Sequence, residues 1–480
     1  RYRGGGRGPP RDTRPGAARG RAPRRSGAPA AAAALARTAS SVPAQSSHPS
    51  SLASSASGVP MALARRAFIA GGAHSTYLGK GHPDFVWKRH PDFGKRDNPT
   101  LDEHLKEAVD GAIADSKLDP TLVDRLYIGN FVGELFVNQG HLGAALAGIH
   151  PAFDGKPAAR LEGACASGGL AVLAGLDAIA AGADIVLVAG VEIQTTASAR
   201  TGGDYLARAA DYKRQRPLDD FTFPALFARR IKAYREAYGL DDEVLGILAK
   251  KAYDNANLNP KAHMHAKTVT LEWAAAPGDK NPNFLGNEEL NPFLRVSDCS
   301  QVSDGASAMV LVSEAGAAKL GLTQADLAEI VGSGHAVSSL FTDGDPTELS
   351  TVKSATRQAL AAADIAVADL DLAEVHDCFT IAELLTYEAL GLADKGQGST
   401  LVRDGTTRRD GKLPVNTGGG LIGFGHPVGA TGIKQPLELF RQMKGRCGDY
   451  QVSGDLTWGL TSNMGGDDKT VVSLAVRNLG

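Results

Sequence analysis

Cysteine is scarce. Only Cys165, Cys299, Cys378 and Cys447 occur among 480 residues, and no two form a CxxC. That spacing indicates neither a disulfide framework nor a zinc cluster, and it fits a reducing compartment. Aromatics make up 6% of the chain, against 43% hydrophobic residues and 57 glycines. Such a composition suits closely packed α/β layers with many short turns. No apolar run reaches the ~18 residues that a transmembrane helix needs. An excess of one charge is also missing. Net charge is −2, so nothing global points to nucleic acid or an anionic membrane. The length suggests about two or three domains.

In residues 1–60 the scarce residues are the acids: ten arginines stand against Asp12 alone. The segment is otherwise rich in Ala, Gly, Pro and Ser. It has too little apolar surface to offset the entropy of ordering, so disorder is expected. Arg-rich, Ser-rich and acid-poor is the composition of an organellar transit peptide, which predicts the mitochondrial matrix. Two rivals stand: a basic binding arm, or an upstream reading frame with translation starting at Met61. A start at Met61 predicts the cytosol or peroxisome instead.

From residue 64 the texture is globular. Pro99–Asp119 predicts an amphipathic helix, with Thr100 and Glu103 at capping-box spacing. A strand is expected within Leu122–Phe131 and another at Ile185–Val191. Between them lies LEGACASGGL (Leu161–Leu170), a small-residue turn around Cys165 that opens an Ala/Leu/Val helix. The rhythm returns later. Thr351–Ala363 is a second Ala-rich helix, LDLAEVHDCF (Leu370–Phe379) echoes Leu122–Phe131, and GGGLIGFGHPVGATG (Gly418–Gly432) is a second Gly-rich turn before a helix. Strand-like Thr470–Val476 follows, and before the second half Val296–Val312 reads as strand-forming sequence that rejoins the first half. Two similar α/β halves are implied, with Cys165 and His426 at matching turns. The expected organisation is a half from 64–193 plus 296–320, an inserted loop region at 194–295, and a second half at 321–480.

The chemistry-bearing residues are Cys165, the His376-Asp377-Cys378-Phe379 run, and His426. A cysteine at a helix N-terminus sits near free N–H groups and the positive dipole end, which favours the thiolate. The plain alternative is a buried structural cysteine. Cys378 reads equally as a second activated thiol or as a buried strand residue. Two thiols and two imidazoles suit acyl transfer with carbon–carbon chemistry. Gly418–Gly423 fits GxGxxG literally, but LPVNT before it is a poor strand, which disfavours dinucleotide binding. His263 and His265 have HxH spacing without a further ligand cluster, and they read as surface residues.

These motifs together resemble the thiolases. Cys165 in GACASGG is similar to the family's acyl-carrying cysteine, and His426 in GHPVGATG to its GHP histidine. The resemblance covers about residues 64–479. It implies the thiolase fold: two βαβαβαββ halves in an α-β-α-β-α five-layered arrangement with an inserted loop domain. Most thiolases carry Asn-Glu-Ala-Phe where His376–Phe379 stands, and a second cysteine where Asn463-Met464-Gly465 stands. HDCF without that cysteine resembles the sterol-carrier-protein-2-type thiolases, here expected without a sterol-carrier domain. In that group the acid/base thiol comes from HDCF, which maps onto Cys378.

The resemblance implies cleavage of a 3-ketoacyl-CoA by CoA, or the reverse Claisen condensation, through acyl-Cys165. His426 takes the Cys165 proton, His376 aids the enolate oxygen, and the backbone N–H groups of Cys165 and Gly465 form an oxyanion hole. Coenzyme A and acyl-CoA are substrates, with CoA contacts expected in 194–295. No permanent cofactor, metal or nucleic-acid partner is implied, and a homodimer or homotetramer is. The rival functions are a ketoacyl synthase-like condensing enzyme and a catalytically silent acyl-CoA or lipid-binding relative.

Overall fold

The computed structural model describes residues 64–480. The expectations for residues 1–60 and Met61 fall outside the described residues. The first half runs β1 (Ala67–His74), α1 (Leu101–Asp115), β2 (Arg125–Gly129), α2 (Leu142–Ala147), β3 (Ala158–Leu161), α3 (Ser167–Ala180) and β4 (Ile185–Glu192). After β4 come α4 (Thr222–Tyr238), α5 (Asp242–Asn257) and shorter helical turns, before β5 (Gly305–Val312). The second half is β6 (Ala328–Val337), α6 (Ser350–Ala363), β7 (Leu372–Glu374), α7 (Thr380–Leu390), α8 (Thr431–Met443), β8 (Trp458–Gly465) and β9 (Thr470–Asn478). The first half therefore reads βαβαβαββ. The second repeats it with its third strand reduced to one bridge, Val415 onto Ala373.

The strands form one sheet ordered β3-β2-β4-β5-β1-β6-β9-β8-β7. The halves join where Ala67–Ile69 pairs antiparallel with Ala328–Ile330. Period-two alternation then builds the layers. Phe68 and Ala70 pack with α1 on one outer face, while Ala67 and Ile69 turn inward. On β9, Val471 and Ala475 face α6, while Val472, Leu474 and Val476 turn inward. The inward residues of both halves share one core with α3 and α8. These two helices form the middle of the five layers, α-β-α-β-α.

Local details differ from expectation in three places. The first helix stops at Asp115 because Ser116 caps it, Lys117 turns left-handed (φ 54°) and Pro120 follows. The predicted capping box is present: Thr100 Oγ1 accepts from Glu103 N–H, and Glu103 accepts from Thr100 N–H. Val296–Asp304 is not strand but a 3-10 turn and loop ahead of β5. His263, read as surface, is buried, and its Nδ1 is 2.8 Å from Ser303 Oγ. Glycine allows the two central helices to meet. A Cβ on Gly432 would stand 2.1 Å from Gly169 N and 2.2 Å from Asn463 Oδ1, and one on Gly168 would stand 2.7 Å from Gly429 O.

Gly432→Ala is expected to destabilise the protein by about 3 kcal/mol or more, because neither backbone can retreat. Gly344→Ala, at an exposed position with open space around its Cβ, should stay within about 0.5 kcal/mol. Denaturant midpoints of the two variants check the contrast.

Candidate active site

Cys165 sits on an elbow between β3 and α3. Ala164, just before it, is held at φ 53°, a left-handed conformation that L side chains rarely adopt. Local bonds hold the elbow in place. Ala164 N–H donates to Glu162 Oε1, and the Ser167 hydroxyl donates to Ala164 O while accepting from Gly163 N–H. The α3 N-cap, Ala166, has no side-chain cap, so the first-turn N–H groups seek partners elsewhere. Gly169 N–H finds one 294 residues away, at Asn463 Oδ1.

His426 reaches the same place from the turn before α8. Ser303 Oγ accepts its backbone N–H at 3.2 Å, and Gln194 Nε2 donates to its carbonyl at 2.8 Å. Buried His263 sits on the same Ser303 hydroxyl, so the supposed surface histidine helps hold this turn. On the His426 ring, Nδ1 is 2.7 Å from Thr431 Oγ1 and Nε2 has no partner. His376 lies edge-on to it, with ring centroids 5.0 Å apart at 84°. One ligand atom from each of Cys165, His376 and His426 falls within a 4.8 Å cluster. This sulfur-and-two-nitrogen set is also of a type that zinc takes.

Asn463 ties the cluster together. Its Nδ2 donates to Cys165 O at 3.0 Å and lies 3.4 Å from His376 Nδ1. In sequence it shows only as a residue standing where relatives of the resemblance carry cysteine. Cys378 follows β7, is buried, and lines the same cavity as Cys165 and His426. The cavity measures about 380 Å³, and Phe131, Leu206, Phe221, Phe223 and Phe284 give it apolar walls. Cys299 adds a third thiol to the wall; its neighbour Ser300 bonds the Cys378 carbonyl. Sequence reading passed over Cys299 because no motif surrounds it. The GGGLIG turn is not a nucleotide cradle. The Asp377 carboxylate takes the N–H groups of Leu421 and Ile422 there.

Protonation departs from the sequence expectation. Burial pushes the Cys165 thiol up to about 12, although the N–H groups of Gly466 and Cys165 itself pull it down. The N–H beside the sulfur thus belongs to Gly466, next to the Gly465 suggested by resemblance. A helix terminus contributes about 0.3–1 kcal/mol, under one pK unit, whereas desolvation moves a buried group by several. Desolvation wins, and the expected resting thiolate gives way to a neutral thiol. Burial likewise pushes Cys378 well above the ordinary thiol value. It lowers His426 to about 3 and His376 well below the ordinary imidazole value, His426 adding to the latter effect. The site therefore holds two neutral thiols and two neutral imidazoles near pH 7.

Alkylation of Cys165 by iodoacetamide should then climb about tenfold per pH unit from pH 7 to 10, following the thiolate fraction. Peptide mass spectrometry of the labelled protein reads it; a plateau below pH 8 would contradict the burial argument.

The thiolase N-terminal domain model matches residues 92–283, and the thiolase C-terminal domain-like model matches residues 332–475. An acetyl-CoA acetyltransferase of Methanothermobacter thermautotrophicus is 36% identical over 370 residues, 76% of this chain and 91% of that protein. Sterol carrier protein 2 of Homo sapiens is 31% identical over 396 residues, 79% of this chain and 68% of that protein. The structure of human mitochondrial 3-ketoacyl-CoA thiolase in complex with CoA superposes with TM-score 0.60 at 20% identity, covering 87% of this chain and 99% of that one. That likeness speaks for the fold. The matched domains and the long alignments together establish that this chain belongs to the thiolase family.

Proposed function

We propose that this enzyme cleaves 3-ketoacyl-CoA with CoA, or runs the reverse Claisen condensation, through an acyl-Cys165 intermediate. The observation that carries the proposal is convergence. Cys165, His376 and His426 lie far apart in sequence, yet their reactive atoms fall within 4.8 Å on a cavity that Cys378 also lines.

A neutral imidazole beside a neutral thiol suits proton transfer concerted with attack. His426 Nδ1–H donates to Thr431 Oγ1, which leaves Nε2 free to accept the Cys165 proton. The sulfur bonds to the C3 carbonyl carbon of the substrate. The C2–C3 bond then breaks and leaves an enolate of acetyl-CoA. Cys378 protonates that enolate at C2, and His376 with His426 holds its oxygen. CoA-SH next attacks acyl-Cys165, its proton passing to the Cys378 thiolate, and the shortened acyl-CoA leaves as His426 returns its proton to Cys165. Backbone N–H groups at Cys165 and the Gly465-Gly466 turn hold the oxyanion. One such donor contributes about 3 kcal/mol to lowering the barrier. CoA enters as substrate, and the apolar walls suit its pantetheine arm and the acyl chain.

We place the activity in β-oxidation in the mitochondrial matrix, supported by the composition of residues 1–60; a start at Met61 would redirect it to the cytosol or peroxisome. A homodimer or homotetramer is supported by β3, which ends the sheet with part of its surface open, an edge that folded proteins usually cover.

Cys165→Ala should abolish acetoacetyl-CoA cleavage and remove protein-bound radiolabel from acyl-CoA. Cys378→Ala should keep the label but lose C–C turnover by at least about 100-fold, the range for a missing acid/base. Label persisting on Cys165→Ala, or full turnover by Cys378→Ala, would refute the respective assignment.

A further inference from the structure

The three clustered donors of the site have a second use. Cys165 offers a sulfur, His376 and His426 a ring nitrogen each, and these atoms lie within 4.8 Å of one another. A zinc ion with Zn–S near ~2.3 Å and Zn–N near ~2.0–2.1 Å holds tetrahedral donors about 3.3–3.6 Å apart. Side-chain rotation supplies the small closure that remains.

Hydrogen bonding has already prepared one of the nitrogens. The Thr431 hydroxyl donates to Pro427 O and accepts His426 Nδ1–H at 2.7 Å. That fixes the tautomer whose Nε2 carries a lone pair. The His426 side chain is buried, and Nε2 has no partner. Metal-bound histidines ordinarily have an acceptor on the other nitrogen in this way. His376 is less committed. Asn463 Nδ2 stands 3.4 Å from its Nδ1, longer than an ordinary hydrogen bond, and its ring meets that of His426 edge-on.

The donor set is also selective. One thiolate and two imidazoles suit zinc and leave a fourth position open, whereas magnesium and calcium call for oxygens. No carboxylate belongs to the cluster. The other histidine grouping brings no thiol: the rings of His82 and His265 lie 4.9 Å apart, and His263 turns its Nδ1 to Ser303.

We propose that Cys165, His376 and His426 bind one Zn²⁺ ion, with water in the fourth position, and that the bound ion switches the enzyme off. Zinc takes the sulfur as thiolate. The thiol proton leaves to solvent, and no electron changes hands. The ion occupies the lone pairs of both nucleophile and base, so no substrate is attacked until a chelator or competing thiol removes it. The inhibition rests on the thiolase reading; the binding does not.

Titration of metal-free protein with Co²⁺ reads binding without any reaction. Wild type should take one equivalent, showing a thiolate-to-cobalt band in the near ultraviolet and the visible bands of a tetrahedral ion, and zinc should displace it. Cys165→Ala should lose the near-ultraviolet band. That variant and His426→Ala should each bind zinc at least about 100-fold more weakly, beyond the loss typical of an outer-shell residue. Thr431→Val, which removes the outer support, should cost about tenfold. Cys378→Ala, outside the cluster, should keep the band. In the unmutated protein, one equivalent of zinc should slow iodoacetamide labelling of Cys165 by about tenfold or more, because the reactive lone pair is taken. Cleavage of acetoacetyl-CoA should fall as the site fills and return on chelation. A near-ultraviolet band that survives Cys165→Ala, or zinc binding lost in His265→Ala instead, overturns the site. Filling of the site without loss of cleavage overturns the switch. A protein that shows the band yet cleaves no thioester when metal-free keeps the metal site and refutes the reaction.

Discussion

Everything at the site depends on how closely α3 and α8 approach. Gly168 and Gly432 bring backbone against backbone, leaving no room for a side chain between them. Each helix begins at a turn that carries a reactive residue, Cys165 on one and His426 on the other. If the helices stood a methyl group further apart, the 4.8 Å cluster of sulfur and nitrogens would open. The internal repeat makes the contact pseudo-symmetric, with one turn supplied by each half. A shared apolar core from both halves presses on the pair and keeps it closed. Burial of that kind contributes roughly 25 cal/mol per Å², and it is non-directional. The glycines turn that general compression into a defined contact.

The same compression sets the protonation states. Enclosure drives both thiols up and both imidazoles down. A site of neutral groups holds no standing ion pair that must be broken before substrate enters. In the proposed reaction the thiol becomes nucleophilic only as His426 takes its proton, which couples activation to bond formation. On that proposal charge develops chiefly in the transition state, and the backbone N–H groups of Cys165 and Gly466 beside the sulfur are the donors placed to meet it.

The layering was legible in the chain because it rests on local and periodic signals. The Thr100/Glu103 box marks the start of α1, and alternation along β1 and β9 sorts inner from outer faces. The pairing of Cys165 with His426 was legible through the repeat, since equivalent turns in two facing halves meet. What stayed hidden depends on partners distant in sequence. His263 looked exposed beside His265, yet it closes on Ser303, forty residues away. The thiolate expectation weighed a helix terminus that sequence reveals against a burial that sequence does not. The Val296–Asp304 loop read as strand because its residues favour strands, but its task is to line the site and support His426.

Asn463 gives a physical reason why the thiols lining the cavity include Cys165 and Cys378 and none from β8. At that position a side chain faces three demands: the Gly169 N–H needs an acceptor, the Cys165 carbonyl takes a donor, and His376 lies within 3.4 Å. An amide supplies acceptor and donor together, whereas a thiol does both weakly. With an amide there, the elbow under Cys165 is fixed from the opposite half of the protein, and a second thiol must stand elsewhere. Cys378 occupies the facing wall, on the loop between β7 and α7, one residue beyond the Asp377 carboxylate that holds the turn leading to His426. Both ends of the site are braced across the halves, Cys165 through Asn463 and His426 through Ser303, whose hydroxyl accepts its backbone N–H. The reactive atoms are positioned by the same contacts that join one half to the other.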